Sequence, residues 1–71
     1  MIIIFKFDNT VDVMLVTDFS FDNGHILISN QDFTLLSENE FSKEQFTYFA
    51  WSLYHNCKLD LSNYSFVQVE D

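Results

Sequence analysis

The chain has 71 residues, with eleven Asp and Glu against three Lys and no Arg, for a formal net charge of −8. Nearly half of it is hydrophobic and nine residues are Phe, enough apolar mass for a single compact domain over residues 1–71 and too much for a disordered tail. A charge of this sign and size excludes direct binding to nucleic acid or to an anionic membrane as the natural reading, and no stretch is long enough to span a bilayer.

Ile2–Phe7 is a β-branched and aromatic run that stops at the turn residues Asp8-Asn9-Thr10. It is short and lacks a basic leader, so it reads as a first strand and not as a signal peptide. Apolar residues on both of its faces suggest a central strand. Val11–Thr17 follows, with Val11, Val13 and Leu15 on one face and Asp12, Met14 and Val16 on the other. The short turn predicts an antiparallel hairpin, and Phe19 and Phe21 continue the alternation. Asp22-Asn23-Gly24 is the clearest turn, because Asn-Gly accepts the positive φ that a tight hairpin needs. His25–Ser29 returns with Ile26 and Ile28 on one face, and Phe33–Leu36 is a candidate short fourth strand beyond Asn30-Gln31-Asp32.

Ser37–Glu40 is an acidic link into the one segment with a helical period, Ser42–Cys57. Ser42 and Gln45 match a capping box, and Glu44 complements the positive end of the helix dipole. Phe46, Phe49, Ala50, Leu53 and Cys57 form a core stripe. This makes Cys57 a small buried hydrophobe and ends the helix near Asn56. Glu44, Tyr48, Trp51 and His55 fall on the opposite face. Two readings stay open for that face: Tyr48 and Trp51 lie flat against flanking strands, or they form a contact surface, since Trp and Tyr carry much of the energy at interfaces. After Lys58–Leu61 and the break Ser62-Asn63, Tyr64–Val69 reads as the closing strand. The expected fold is α+β: an antiparallel sheet of about four to five strands, in the order β-β-β-(β)-α-β, with one helix packed on one face. A single helix covers one side only, so apolar residues on the other side call for a partner, a curl of the sheet, or exposure.

No catalytic, cofactor-binding or metal-binding set emerges, and the chain reads as a non-enzyme. Cys57 and His55 are two residues apart on a helix and do not face each other; one Cys and two His match no zinc pattern; Gly24 is the only glycine, so no phosphate-cradling loop exists. The single cysteine rules out a disulfide within the chain and points to a reducing compartment, cytoplasmic in a bacterial host. Residue usage rich in Phe, Ile and Asn looks like A+T-rich coding. Such coding supplies Lys freely, and Lys is scarce here. The natural partner of such a chain is a basic protein surface. The other reading of the acids is that they only keep a Phe-rich domain soluble.

In length, charge, lack of arginine, aromatic richness and A+T-type residue usage the whole chain resembles the small acidic proteins that phages encode to inhibit host enzymes, including DNA mimics and anti-CRISPR proteins. The resemblance is compositional and rests on no motif. It implies a stoichiometric inhibitor occupying the basic nucleic-acid groove of a host defence or DNA-processing enzyme. Asp8, Asp12, Asp18, Asp22, Glu38, Glu40 and Glu44 would then meet Lys and Arg of the target, and Tyr48 and Trp51 would anchor the contact. An immunity protein against a basic nuclease is a variant of this reading. The alternative is a structural or adaptor module, or a homodimer, that associates through Tyr48, Trp51 and His55.

Overall fold

The computed structural model describes residues 1–69. It is an α+β fold with β1 (Ile2–Phe7), β2 (Thr10–Leu15), β3 (Asp18–Asp22), β4 (His25–Ser29), β5 (Thr34–Ser37), α1 (Lys43–Asn56) and β6 (Lys58–Val69). The strands form one sheet in the order β2-β1-β6-β5-β4-β3. The sheet therefore has six strands, not four or five. It is mixed, because β1 and β6 run parallel while every other neighbouring pair is antiparallel.

Two differences from the sequence-based expectation produce this change. The first is at Val16-Thr17. The run from Val11 to Asp22 reads as one alternating strand, yet it is two strands that lie at opposite edges of the sheet. Val11, Val13 and Leu15 face solvent, while Phe19 is buried and Phe21 packs on the core. The face switches between strands of the same numerical phase, and only a break in the ladder allows that. The second is at Lys58–Leu61, which is the first part of β6 and not a lead-in. Leu59 and Leu61 are buried there, and they pair in parallel with Ile3 and Phe5. Ser62-Asn63 marks a register shift, after which Ser65 and Phe66 pair with Lys6 and Phe7. β6 is one strand with an irregular middle.

The short links set the shape. Asp8 and Asn9 both have positive φ (51° and 63°), as do Asn23 and Gly24 (52° and 87°), the conformation of a two-residue type I′ hairpin. The β2–β3 link is as short, but its strands are the sheet's two edges. A flat six-stranded sheet would hold those edges about 24 Å apart, whereas the step from Leu15 to Asp18 spans at most about 11 Å. The sheet must curl. The Val16 amide bonds to the Met1 carbonyl (2.8 Å) and the Thr17 amide to the Ser29 carbonyl (2.8 Å), which ties the two edges together at one corner.

The concave face holds the core: Ile3, Phe5, Met14, Val16, Phe19, Ile26, Ile28, Leu35, Leu59, Leu61 and Phe66, closed by Phe41 and Leu53. The helix lies across the mouth of the curl. Ser42 accepts from the Gln45 amide (3.1 Å), and the Gln45 side chain accepts from the Ser42 amide (2.9 Å), so the capping box forms as the sequence predicts. Phe46 stacks on Phe19 and Phe21 at 5.1 and 4.9 Å, while Phe49 packs edge-on to Phe41 at 5.7 Å. Cys57 departs from expectation: it is exposed. It takes the left-handed conformation that closes the helix (φ 57°), one residue beyond the last helical turn, so its side chain leaves the core stripe before reaching it.

Leu53 is the one fully buried helix side chain (0% exposed). Leu53→Ala should lower the unfolding free energy by about 2–5 kcal/mol in urea denaturation. A loss below about 1 kcal/mol would mean that the helix does not close the core.

Candidate protein-binding surface

On α1 the face opposite Leu53 is aromatic and bare. Tyr48, Trp51 and Tyr54 are 63, 59 and 66% exposed, so these rings do not lie against flanking strands. Trp51 stacks on His55 one turn later, with centroids 4.7 Å apart and planes within 14°. This i, i+4 contact holds the indole flat along the helix. Glu44 and Tyr48, also four apart, border a shallow depression together with Lys43 and Thr47. Tyr54 was not singled out by the sequence pattern. It stands three residues from Trp51, the spacing of neighbours on a helix surface.

All seven acids named as candidate contacts, Asp8, Asp12, Asp18, Asp22, Glu38, Glu40 and Glu44, are exposed. They do not form a single row. Asp8 and Glu38 border one depression together with Phe7, Phe66, Val67 and Gln68. Asp22 and Glu40 flank the β3–β4 turn. Asp12 sits on the β2 edge, and Asp18 begins β3 at the opposite edge. Glu44 is in the first turn of the helix.

The link that carries Glu38 and Glu40 is held by a buried serine. Ser37 Oγ accepts from the Ile26 amide (2.9 Å) and donates to the Asn39 carbonyl (2.9 Å). His25 Nδ1 donates to the Ser37 carbonyl (2.9 Å). The Phe41 amide bonds to the Gly24 carbonyl (2.8 Å), and the Glu38 amide to the Ser65 carbonyl (2.9 Å). Among the described residues one ion pair is within reach, His25 Nε2 to Glu40 at 3.9 Å. None of the three lysines is paired with an acid there.

A second bare surface lies on the side of the sheet that the single helix leaves uncovered. Val11, Val13 and Leu15 on β2 are 61, 64 and 69% exposed. They stand opposite Lys6, Ile4 and Ile2 on the convex face. The sequence grouped the three on one face but could not say which face the core would take.

For chemistry the arrangement offers little. Cys57 is exposed at the helix end, His55 is committed to the Trp51 stack, and His25 to the Ser37 carbonyl. Among the described residues no three His, Cys, Asp or Glu side chains come close enough to hold a metal ion, and no helix is long and apolar enough to cross a membrane. Comparison with protein-family models, with curated proteins and with solved structures finds no match.

One carboxylate has a perturbed affinity for protons. Asp60 Oδ1 accepts from the Ser62 hydroxyl (2.6 Å) and the Ser62 amide (2.9 Å). These bonds, the hydroxyl first, hold its pKa below the usual aspartate range, with a smaller contribution from Lys58. Its folded value is depressed, so any stability it adds is present above the unfolded value of about 3.9 and is lost as pH falls through the folded value. Carboxyl NMR should show Asp60 titrating below about 3.9, and Ser62→Ala should move its midpoint upward. An unchanged midpoint would remove Ser62 as the cause.

Proposed function

We propose that this chain is a stoichiometric protein inhibitor that binds the basic nucleic-acid-binding surface of a host defence or DNA-processing enzyme, in the manner of DNA-mimic or anti-CRISPR proteins. The observation that carries this reading is unneutralised charge. Of the eleven acids, two (Glu70 and Asp71) lie outside the described residues; the remaining nine are all exposed, and their one ion-pair partner is His25. A surface like this costs folding free energy through self-repulsion. A basic groove would relieve that cost and release its own counterions.

In this reading the acids act as several clusters on a rounded surface and not as one strip. Asp8 and Glu38 form one cluster, and Asp22 and Glu40 another. Glu44 lies beside the aromatic face, where Tyr48, Trp51 and Tyr54 bury apolar area and slow release. The setting is the bacterial cytoplasm, and no catalytic step is part of the proposal.

A second reading is favoured by one observation, the exposed Trp51–His55 stack. There α1 docks on a larger subunit as an adaptor, and the acids serve solubility. Two variants separate the readings. With Asp8, Asp22, Glu38 and Glu40 changed to Asn or Gln, affinity for a basic nuclease or CRISPR effector should fall by about tenfold or more, and its salt dependence should flatten. Trp51→Ala should raise the dissociation rate with little change in salt dependence. Binding that survives the acid changes with its salt slope intact would overturn the inhibitor reading, and loss confined to Trp51→Ala would favour the adaptor.

A further inference from the structure

The two edges of the sheet are treated differently. At the β3 edge, Asp18 and Asp22 are exposed at either end of a five-residue strand, and Phe46 packs over Phe19 and Phe21. Charges and short length are the usual guards against strand addition. At the β2 edge, one residue longer, there is no lysine, no proline and no bulge; its one charge, Asp12, points to the other face, and Val11, Val13 and Leu15 stand bare.

Backbone polarity along β2 is fixed by its pairing with β1. The Val16 amide donates to the Met1 carbonyl, whereas the Ile2 amide turns the other way, to the Cys57 carbonyl on the β6 side (3.1 Å). Hydrogen-bonded pairs alternate in an antiparallel ladder. Met14, Asp12 and Thr10 therefore bond to β1, while Leu15, Val13 and Val11 direct amide and carbonyl to the open edge. The residues with free backbone groups are the ones with exposed apolar side chains.

We infer that β2 is a homotypic edge, pairing antiparallel with β2 of a second copy about a two-fold axis at Val13. Any two-fold register centred on a residue keeps like faces together, and the three that overlap most of the strand centre on Asp12, Val13 and Met14. Centring on Asp12 sets two like charges directly opposite each other, which is unfavourable. Centring on Met14 leaves Val11 opposite Thr17, beyond the strand end. Centring on Val13 places Val13 beside its own copy and Val11 beside Leu15, uses every outward amide and carbonyl of the strand, and sets Asp12 against Met14. It also joins the two apolar rows, each flanked by Ile2 and Ile4, into one.

The dimer brings together two chains of charge −8, so added salt strengthens it by screening repulsion. This is the opposite of the inhibitor complex, which salt weakens, so failure of one reading is distinguishable from failure of the other. Light scattering on a sizing column should show a species of twice 8.4 kDa, whose fraction rises with concentration and with salt. Val13→Lys places a charge at the axis. It should weaken association by about tenfold or more and leave the circular dichroism spectrum unchanged, because the residue is exposed. Register is read by cross-linking in a Cys57→Ser background. Val13→Cys puts two thiols on Cα atoms about 5.5 Å apart, within disulfide reach, and should cross-link under mild oxidation. Val11→Cys leaves them about 14 Å apart and should not. A monomer at every concentration and salt overturns the inference. So does a dimer that persists in Val13→Lys, equal cross-linking at positions 11 and 13, or a dimer lost only in Trp51→Ala, which would place the interface on the helix.

Discussion

Val16 and Thr17 are the only residues between β2 and β3, and β2 and β3 are the two outer strands of the sheet. A connection this short cannot cross the width of a flat sheet, so the sheet has one option, to curl until its edges meet at that corner. The rest of the architecture follows. Curling gives a small concave face that one helix can close, which is how a 71-residue chain assembles a core from six strands and fourteen helical residues. It also gives a larger convex face that no described element covers. The exposed row of Val11, Val13 and Leu15 is the outer side of the same constraint that buries Met14 and Val16.

A second corner is held by hydrogen bonds and not by chain length. Ser37 is fully buried, and its hydroxyl serves one donor and one acceptor on different segments. With His25 and Asn39 it joins the β3–β4 hairpin to the link that leads into the helix. A buried hydroxyl with both roles filled fixes position at little desolvation cost, and one left unfilled would be destabilising. Glu38 and Glu40 thus project from a braced segment. Their charges keep a defined spacing from Asp8 and Asp22, which a free loop would not provide. Spreading the acids over turns on a curled sheet disperses them around the molecule, which lowers self-repulsion. A strict linear copy of a phosphate row would raise it.

Local chemistry was legible in the sequence. The Ser42–Gln45 capping box, the Asn23-Gly24 hairpin, the Ile26/Ile28 core face and the grouping of Tyr48 with Trp51 on the helix face away from Leu53 each depend on residues a few positions apart, and each is present. What was not legible depends on distant pairing. The parallel alliance of β1 with β6 joins the two ends of the described chain, and no local pattern announces it. The break at Val16-Thr17 left no trace in the alternation. Val11, Val13, Leu15, Phe19 and Phe21 share odd-numbered phase, so one continuous strand would have put all five on one buried face and Met14 and Val16 on the other. Cys57 was misplaced because extending a helical wheel by one residue assumes that the helix continues, and the chain reverses there. Of the candidate contacts, the sequence placed Tyr48 and Trp51 on the helix face away from the core but left open whether flanking strands cover them; that all seven acids and both aromatics are exposed came from the structure. So did the division of the acids into clusters, because it depends on how the sheet bends.

Charge and apolar surface oppose each other over different distances. Repulsion between net charges of −8 acts over roughly a Debye length, about 8 Å at physiological ionic strength, and resists any approach of two copies. Backbone pairing and apolar contact at β2 act only when strands are adjacent. The convex β1–β2 surface is where the first effect is weakest, because its side chains are Ile2, Ile4, Val11, Val13, Leu15 and the cation Lys6. Most of the acids instead stand on turns, at strand ends and at the helix start, and Asp12, the one acid on β2, points to the other side of the sheet. The exception is Asp60 on β6, which pairs with Ile4 and shares its face, and whose charge is partly offset by Lys58. A strongly acidic domain can therefore keep an open edge without indiscriminate aggregation: long-range repulsion rejects most encounters, and an approach along this face, where Lys6 and Lys58 offset Asp60, meets the least of it. The net charge is, on this account, what makes the β2 edge selective.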